Sequence, residues 1–104
     1  MIARIWKGAT LRADGDAYSE YMNATGIAEY RSTPGNRAAV MLRRNVDDRC
    51  EFLMLSLWDS MESIKSFAGD DPETAVFYPE DERFLVEREL TVAHYEVAAA
   101  EGSF

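Results

Sequence analysis

The segment from Cys50 to Trp58 is apolar on both sides when it is read as a β-strand. One face carries Glu51, Leu53, Leu55 and Leu57, and the other carries Cys50, Phe52, Met54, Ser56 and Trp58. Successive side chains of a strand point to opposite faces of the sheet, so both faces must be largely hidden from water. A chain of 104 residues has enough helix to cover only one of them. The simplest cover for the other face is a second copy of the chain.

The pattern before this strand predicts two strands and a helix. In order, the predicted elements are a strand over 1–7, a connector over 8–15, a helix from Asp14 or Asp16 to about Ala24, a further turn over 27–30, a strand over 38–46 and a hairpin over 46–49. Aspartate is a favoured helix cap, and the apolar spacing that follows is helical. Thr25-Gly26 interrupts the helix, and Pro34-Gly35 marks the turn into the second strand.

The pattern after Trp58 predicts helices and a last strand. The elements are a helix over 59–68, a short helix over 71–77, a break with another helical turn over 78–84 and a strand over 90–97. Asp59 and Glu62 have the spacing of a capping box, and Gly69 ends the first of these helices. Asp71-Pro72-Glu73 is typical of a helix start. We expect the tail after Ala98 to be frayed.

The element order β-α-β-β-α-β indicates an α+β, ferredoxin-like fold. Right-handed crossovers place both helices on one face of a four-stranded antiparallel sheet. Two such sheets that pack face to face form a dimeric α+β barrel. We therefore predict a single domain over residues 1–97, a C-terminal tail over 98–104, and a homodimer formed through the open face of the sheet.

The charge of the chain argues against several classes of partner. Eleven basic and 19 acidic residues give a formal net charge of −8. This excess of acid argues against nucleic-acid binding and disfavours docking on anionic lipid. No apolar run approaches the roughly 18 residues needed to span a membrane. The single cysteine, Cys50, forbids an intrachain disulfide and fits a reducing cytoplasm.

His94, in the last predicted strand, is the only histidine and the side chain best suited to proton transfer. Glu96 shares its face and is a candidate partner, although the spacing is long for a direct bond. A structural histidine at the sheet edge or in a dimer contact is the alternative. The spacing of His, Cys and acidic residues does not resemble a metal site.

The segment between the second helix and the last strand is typical of a pocket lid, because it is long, aromatic and contains an arginine. Tyr78 and Arg83 are its candidate functional residues. The candidate pocket-lining residues, between helices and sheet, are Trp6, Trp58, Phe67 and Phe77. The alternative for these four is ordinary core packing, which is how aromatic residues at helix or strand spacing are usually used.

From Leu55 to Ile64 the chain resembles the antibiotic biosynthesis monooxygenase-like family of dimeric α+β barrels. In that family an apolar strand commonly ends in Trp, here Trp58, and a capped helix follows with an aromatic near its end, here Phe67. The resemblance spans residues 1 to about 97. It implies a homodimer with a pocket in each subunit. The best-known members oxygenate aromatic polyketides or quinol-like compounds with molecular oxygen and no metal or flavin.

Other members of that family degrade heme, and here the chain departs from the pattern. Those relatives use an Asn in the first strand, a Trp at the end of the second helix and a heme-ligating His after it. This chain has Trp6 or Lys7, Phe67 and Phe77 near those places, and His94 belongs to another element. The resemblance therefore disfavours heme degradation.

Four functions are consistent with the sequence. The first is a cofactor-independent monooxygenase-like enzyme for a small aromatic or quinol-type compound, in which His94 takes a proton while Arg83 or Tyr78 holds the anion. The second is a non-catalytic homodimer that binds a small apolar or aromatic ligand. The third is an isomerase of the same superfamily, and the fourth a purely structural dimer. One fold hosts many functions, so the sequence pattern alone does not choose among them.

Overall fold

The chain forms a five-stranded antiparallel sheet with helices on one face, in a computed structural model that describes residues 1–102. The strands are β1 (Ile2–Leu11), β2 (Asn36–Val46), β3 (Arg49–Trp58), β4 (Leu85–Arg88) and β5 (Ala93–Glu96). The helices are α1 (Gly15–Met22), α2 (Ala28–Ser32), α3 (Met61–Ala68) and α4 (Asp81–Phe84). The predicted α+β, ferredoxin-like fold class is confirmed. Residues 98–102 of the predicted tail have no helix or strand, and 103–104 lie outside the described residues.

The sheet order is β2-β3-β1, and β4 and β5 share the position beyond β1. β5 pairs with the first half of β1 and β4 with the second half. The prediction of one last strand over 90–97 is therefore corrected to two short strands. The predicted connector at 8–15 is also wrong over its first residues, because β1 continues to Leu11 and gives β4 an edge to pair with.

The first helical layer is continuous rather than interrupted. A π-helical turn over Asn23–Ile27 joins α1 to α2, so the predicted break at Thr25-Gly26 is wrong. The Thr25 hydroxyl donates to the Tyr21 carbonyl at 2.8 Å. A Cβ atom on Gly26 would lie 2.6 Å from the methyl carbon of Met22, so a larger residue there would require the end of the Met22 side chain to move.

Helix α3 begins one residue later than the predicted capping box. Ser60 is the cap, and its hydroxyl oxygen accepts the Ser63 N–H at 3.2 Å. Asp59 instead forms an ion pair with Arg37 at 2.5 Å. The adjacent serine is therefore left to satisfy the helix N-terminus. Gly69 ends the helix with a positive φ of 88°, as predicted from its position.

The segment predicted as a helix over 71–77 is extended where it meets the chain before β5. Thr74 forms a bridge with Thr91, the Ala75 N–H donates to the Leu90 carbonyl at 2.9 Å, and the Val92 N–H donates to the Glu73 carbonyl at 2.9 Å. Backbone groups engaged in this pairing are not available for helical hydrogen bonds. The helix-start signal at 71–73 is overridden by this tertiary pairing. A helical turn does follow, as α4.

The side chains of β3 that face the helices are buried, as predicted. On that side five residues are buried, namely Cys50, Phe52, Met54, Ser56 and Trp58. On the other side Leu53, Leu55 and Leu57 are half-buried. Their neighbours in β2 are more exposed, Val40 at 37% and Leu42 at 49%. The core lies between helices and sheet, and the open face of the chain is apolar.

Replacing Gly8 by alanine is expected to lower the free energy of unfolding by about 1–3 kcal/mol, through overpacking. A Cβ atom there would lie 2.5 Å from the Trp6 indole and 3.2 Å from the Glu87 carbonyl. Urea denaturation measures the loss. The double variant Trp6→Phe/Gly8→Ala should lose less than the sum of the two single variants, because the smaller ring leaves room. Strict additivity would contradict a clash with the indole.

Candidate functional site

An arginine lies inside the chain, between the sheet and the helical side. Arg4 stands opposite Ser56 of β3 and His94 of β5, so its side chain shares the helix-facing surface of the sheet. Only 2% of the residue is exposed. Arginine is almost never this deeply buried unless it has partners, so its contacts define the site.

Arg4 is bonded to carbonyls and an imidazole rather than to a carboxylate. Nη1 donates to the Pro72 carbonyl at 2.5 Å and to His94 Nε2 at 3.0 Å, and Nη2 donates to the Thr74 carbonyl at 3.2 Å. None of the ion pairs within residues 1–102 includes Arg4. Burial lowers the pKa of Arg4. Arg4 is therefore a buried positive charge with no directly bonded anion in the described part of the chain.

His94 links this arginine to the surface. A guanidinium only donates hydrogen bonds, so His94 Nε2 accepts, and the proton of the neutral ring is on Nδ1. Nδ1 lies 3.3 Å from Glu73 Oε1 and donates to it. The exposed fraction of the side chain is 64% for Glu73 and 8% for His94. The carboxylate beside the histidine is therefore Glu73, and the predicted partner Glu96 is exposed.

Three aromatic rings pack on one another in a cluster that reaches Arg4. The ring centroids of Tyr30 and Phe67 are 4.5 Å apart, and that of Trp58 lies 5.7 Å from Phe67 and 6.1 Å from Tyr30. Arg4 Cζ is 5.8 Å from the Phe67 centroid, within the range of a cation–π contact. Burial raises the pKa of Tyr30, and the charge of Arg4 offsets part of that rise. Trp58 and Phe67 thus lie together at the site.

Tyr78 contributes a buried hydroxyl group. Its oxygen has no hydrogen-bond partner among the described residues. Burial raises the pKa of Tyr78, and the Glu29 carboxylate raises it further. The Tyr78 N–H donates to Asp81 Oδ2 at 2.7 Å, which fixes the backbone of this residue. Its ring edge also approaches Gly26, in the π-helical turn. π-Helical turns occur frequently at functional sites.

The structure does not bring all the predicted site residues together. Arg83 lies outside, with 68% of its side chain exposed and an ion pair to Glu80 at 2.9 Å. Trp6 and Phe77 pack edge to face at 6.1 Å, and the Trp6 indole N–H donates to the Glu89 carbonyl at 2.8 Å. Trp6 and Phe77 thus pack against each other and are not among the contacts of Arg4. Of the predicted residues, His94 and Phe67 contact Arg4, Trp58 packs on Phe67, and Tyr78 acts on Arg4 electrostatically.

Three residues of the site were missed by sequence reasoning, namely Arg4, Tyr30 and Glu73. Arg4 carried one usable signal, because strand alternation places it on the same face as Ile2 and Trp6. A charge between two large apolar residues on one strand face is unusual and points to a specific role. Nothing in the spacing of Tyr30 or Glu73 indicated that they would meet it.

A groove of about 700 Å³ lies elsewhere, on the open side of the sheet. Lys7, Leu42, Arg44, Glu51 and Leu53 are among its lining residues. Lys7 and Leu53 are paired across β1 and β3 and point away from the helices. The sheet therefore separates this groove from Arg4, and the groove is not the pocket predicted between helices and sheet.

Comparison with known proteins identifies the fold. A proposed antibiotic biosynthesis monooxygenase from Bacillus cereus has a TM-score of 0.68 and 14% identity, covering 100% of this chain and 97% of that one. A second, from Deinococcus radiodurans, has a TM-score of 0.65 and 13% identity over 100% and 99%. The chain has the antibiotic biosynthesis monooxygenase fold. No family model and no curated protein matches the sequence.

The heme-degrader MhuD of Mycobacterium tuberculosis, solved with two hemes in its active site, shares this fold at a TM-score of 0.60 and 16% identity, covering 98% and 100%. In this structure the one histidine of the chain has no ring nitrogen free to ligate a heme. His94 is the only histidine, and both of its ring nitrogens are engaged, by Arg4 and Glu73.

Two general features complete the description of the site and its surroundings. Within residues 1–102, no three side chains of His, Cys, Asp or Glu gather closely enough to hold a metal ion. No helix in that part of the chain is long and apolar enough to cross a bilayer.

Asp81, which fixes the Tyr78 backbone, should make stability depend on pH in a direction opposite to that of most carboxylates. Burial raises the pKa of Asp81, and the hydrogen bonds from Tyr78 and Tyr18 offset only part of that rise. The folded state therefore holds the proton more readily than the unfolded chain. The contribution of this group to stability is greatest below its unfolded pKa and is lost as pH rises through the folded value.

Asp81→Asn removes this titration. As pH falls from about 7 to about 4, the free energy of unfolding of the wild type should therefore rise relative to that of the variant. Urea denaturation across that range measures the difference. The control is Glu82→Gln, at the exposed neighbouring residue. The difference in free energy of unfolding between the wild type and this control should stay constant over the same pH range. If the difference between the wild type and Asp81→Asn is constant, or falls towards acid pH, the raised pKa of Asp81 is contradicted.

Proposed function

We propose that the protein is a cofactor-independent, monooxygenase-like oxidoreductase that acts on a small aromatic or quinol-type compound held between helices and sheet. The observation that carries this proposal is the buried Arg4, which has no carboxylate partner within residues 1–102 and lies beside the rings of Tyr30 and Phe67. The Tyr78 hydroxyl also has no hydrogen-bond partner among those residues. A fixed cation in a dry, aromatic site stabilises the anion that forms when such a compound loses a proton.

That anion is the reactive species in oxygenation without a metal or flavin. An anthrone-type CH₂ group gives up a proton, and the resulting carbanion passes electrons to molecular oxygen. The product contains C=O in place of CH₂. One oxygen atom stays in the product and the other leaves as water, so the substrate supplies all four electrons. The task left to the protein is to accept a proton and to hold the negative charge.

The proposed roles follow from the hydrogen bonds. Arg4 takes the anion-holding role that the sequence suggested for Arg83, and Tyr78 donates a second hydrogen bond. When Arg4 Nη1 turns to the substrate anion, His94 Nε2 becomes free to accept the proton. Nδ1 then passes its own proton to Glu73, whose side chain is largely exposed to solvent. The relay thus leads out of the interior.

Proteins of the same fold agree with this proposal. The Bacillus and Deinococcus proteins of the same fold are proposed antibiotic biosynthesis monooxygenases. At 13–14% identity this likeness concerns the fold, so the activity rests on the site itself.

Oxygen uptake with anthrone tests the proposed activity. The wild type should consume oxygen, and His94→Gln should lower kcat by about a hundredfold or more, because it removes the general base. An oxygen electrode measures the rates, and circular dichroism checks that the variant is folded. The exposed Lys65, on α3, provides the control Lys65→Met, which should retain full activity. Unchanged uptake in a folded His94→Gln variant would remove His94 from the mechanism.

A binding function without catalysis is the second candidate, and one observation favours it. Both nitrogens of His94 are engaged, so in this state the ring has no lone pair free for a substrate proton. A small aromatic ligand would then be bound but not converted. Thermal stabilisation by anthrone without any oxygen uptake would support this function over the first.

We further propose that the protein is a homodimer formed through the open face of its sheet. Leu55 lies opposite Val40 of β2 and Ile5 of β1, at the centre of an apolar surface. Contiguous apolar surfaces of this kind on a soluble domain are typically interfaces. A second copy is the occupant that matches, since an apolar patch on a twofold axis is complementary to itself.

Leu55→Lys should convert this dimer into a monomer, because it buries an unpaired charge at the centre of the interface. Sedimentation equilibrium at micromolar concentration measures the mass. The control is Leu90→Lys, in the link between β4 and β5, where the native residue is 63% exposed; it should remain dimeric. A wild type that sediments as a monomer, or a dimeric Leu55→Lys variant, would contradict the proposed interface.

A further inference from the structure

We infer that the twofold axis of the homodimer runs parallel to the strands, between β3 and β1, and that it places Arg44 of each copy against Glu87 of the other. This inference rests on the homodimer proposed above. It adds the arrangement of the two copies and the charged residues that determine this arrangement. It concerns only the open face of the sheet and is independent of the site around Arg4.

One end of the open face is entirely apolar. Two rows of side chains cross the sheet there, from β2 through β3 and β1 to β5. The first row consists of Val40, Leu55, Ile5 and Ala93. The second row consists of Ala38, Leu57, Ala3 and Tyr95. Neither row contains a charged residue, so this end can be covered by another apolar surface without burying a charge.

The other end of the open face, where the groove of about 700 Å³ lies, is charged. The row that crosses the sheet there consists of Arg44, Glu51, Ala9 and Glu87. Arg44 is 2.7 Å from Glu51, and Glu87 is 2.7 Å from Arg49. The row thus begins with a positive charge on β2 and ends with a negative charge on β4. Because both signs are present, two copies can meet at this end although each chain has a net charge of −8.

These two ends determine the direction of the axis. Sheets that pack face to face usually keep their strands within about 30° of each other, so the axis runs either along the strands or straight across them. An axis across the strands would lay the charged end of one copy on the apolar end of the other, and unpaired charges are costly to bury. An axis along the strands lays each end on its own equivalent. We therefore expect the axis to follow the strands.

The charged row also determines the position of the axis among the strands. An axis on β3 would set Glu51 against Glu51 of the second copy, and an axis on β1 would set Glu51 against Glu87. Both positions oppose like charges. An axis nearer either edge would leave much of the face uncovered. Between β3 and β1, the axis sets Arg44 against Glu87 and Glu51 against Ala9, so that opposite charges meet and like charges do not.

The shape of the groove favours the same contact. Residues of all four strands line the groove, and β2 and β4 are the outermost of these strands. Two such grooves placed face to face approach each other at their outer strands, where Arg44 and Glu87 lie. The exposed fraction of the side chain is 77% for Arg44 and 65% for Glu87, so both side chains are accessible to a second copy.

The apolar end agrees with this axis in the sizes of its side chains. The axis sets Tyr95, which is 59% exposed, against Ala38, and it sets Leu57 against Ala3. Large side chains that face small ones allow two surfaces to interdigitate. Charge at one end and size at the other therefore lead to the same arrangement.

Charge reversal tests the contact between Arg44 and Glu87. Arg44→Glu and Glu87→Arg should each weaken the homodimer about tenfold or more, because each variant places two pairs of like charges across the interface. An equimolar mixture of the two variants should instead form mainly the heterodimer, in which both contacts join opposite charges. Sedimentation equilibrium measures the dissociation constants, and native mass spectrometry measures the proportions of the three dimers. Effects within one chain are the same in every dimer, so an excess of heterodimer reports contacts between copies.

The control pair is Arg83→Glu and Glu80→Arg, which reverses an exposed ion pair at α4, away from the open face. These variants change the net charge of the chain by the same amounts as the test pair. Each should dimerise like the wild type, and their mixture should contain the three dimers in statistical proportion.

Two results would overturn the inferred arrangement while the homodimer is retained. They are a statistical mixture of the Arg44 and Glu87 variants, and single variants with the dissociation constant of a dimeric wild type. A wild type that is monomeric would instead contradict the homodimer itself, and the arrangement with it.

Discussion

The bonds from Arg4 to the chain that follows α3 connect the sheet, the irregular segment and the site. The Pro72 and Thr74 carbonyls accept from its guanidinium, and the Pro72 carbonyl is one that a helix over 71–77 would use for its own hydrogen bonds. The bridge between Thr74 and Thr91 holds the same segment from its other edge. This clamp accounts for the extended backbone, and it brings Glu73 to His94.

Patterns that act over a few residues could be predicted from the sequence. The alternation in β3 follows from burial on one face of the strand, and the end of α3 at Gly69 follows from the freedom of glycine to adopt a positive φ; the structure confirms both. The capping residue of α3 could not be chosen in this way. Asp59 and Ser60 are adjacent and both suitable, and an ion pair with Arg37, 22 residues away on the edge strand, decides between them.

The site was predicted only in part for the same reason. His94 stood out because it is the single histidine, but its contacts with Arg4 and Glu73 span 90 and 21 residues of sequence. Arg83 was selected for its place in a long aromatic segment. In α4 it points to solvent and pairs with Glu80, three residues earlier, as a surface helical residue commonly does. Strand pairing, which acts over long sequence distances, decides that Arg4 and not Arg83 is buried.

Strand alternation also separates the two proposed surfaces. Arg4 and Ile5 are neighbours in β1, yet one faces the helices and the other the open side. The same holds in β3 for Ser56, opposite Arg4, and Leu55, opposite Ile5. A substitution on the open face can thus alter self-association while leaving the hydrogen bonds of Arg4 in place.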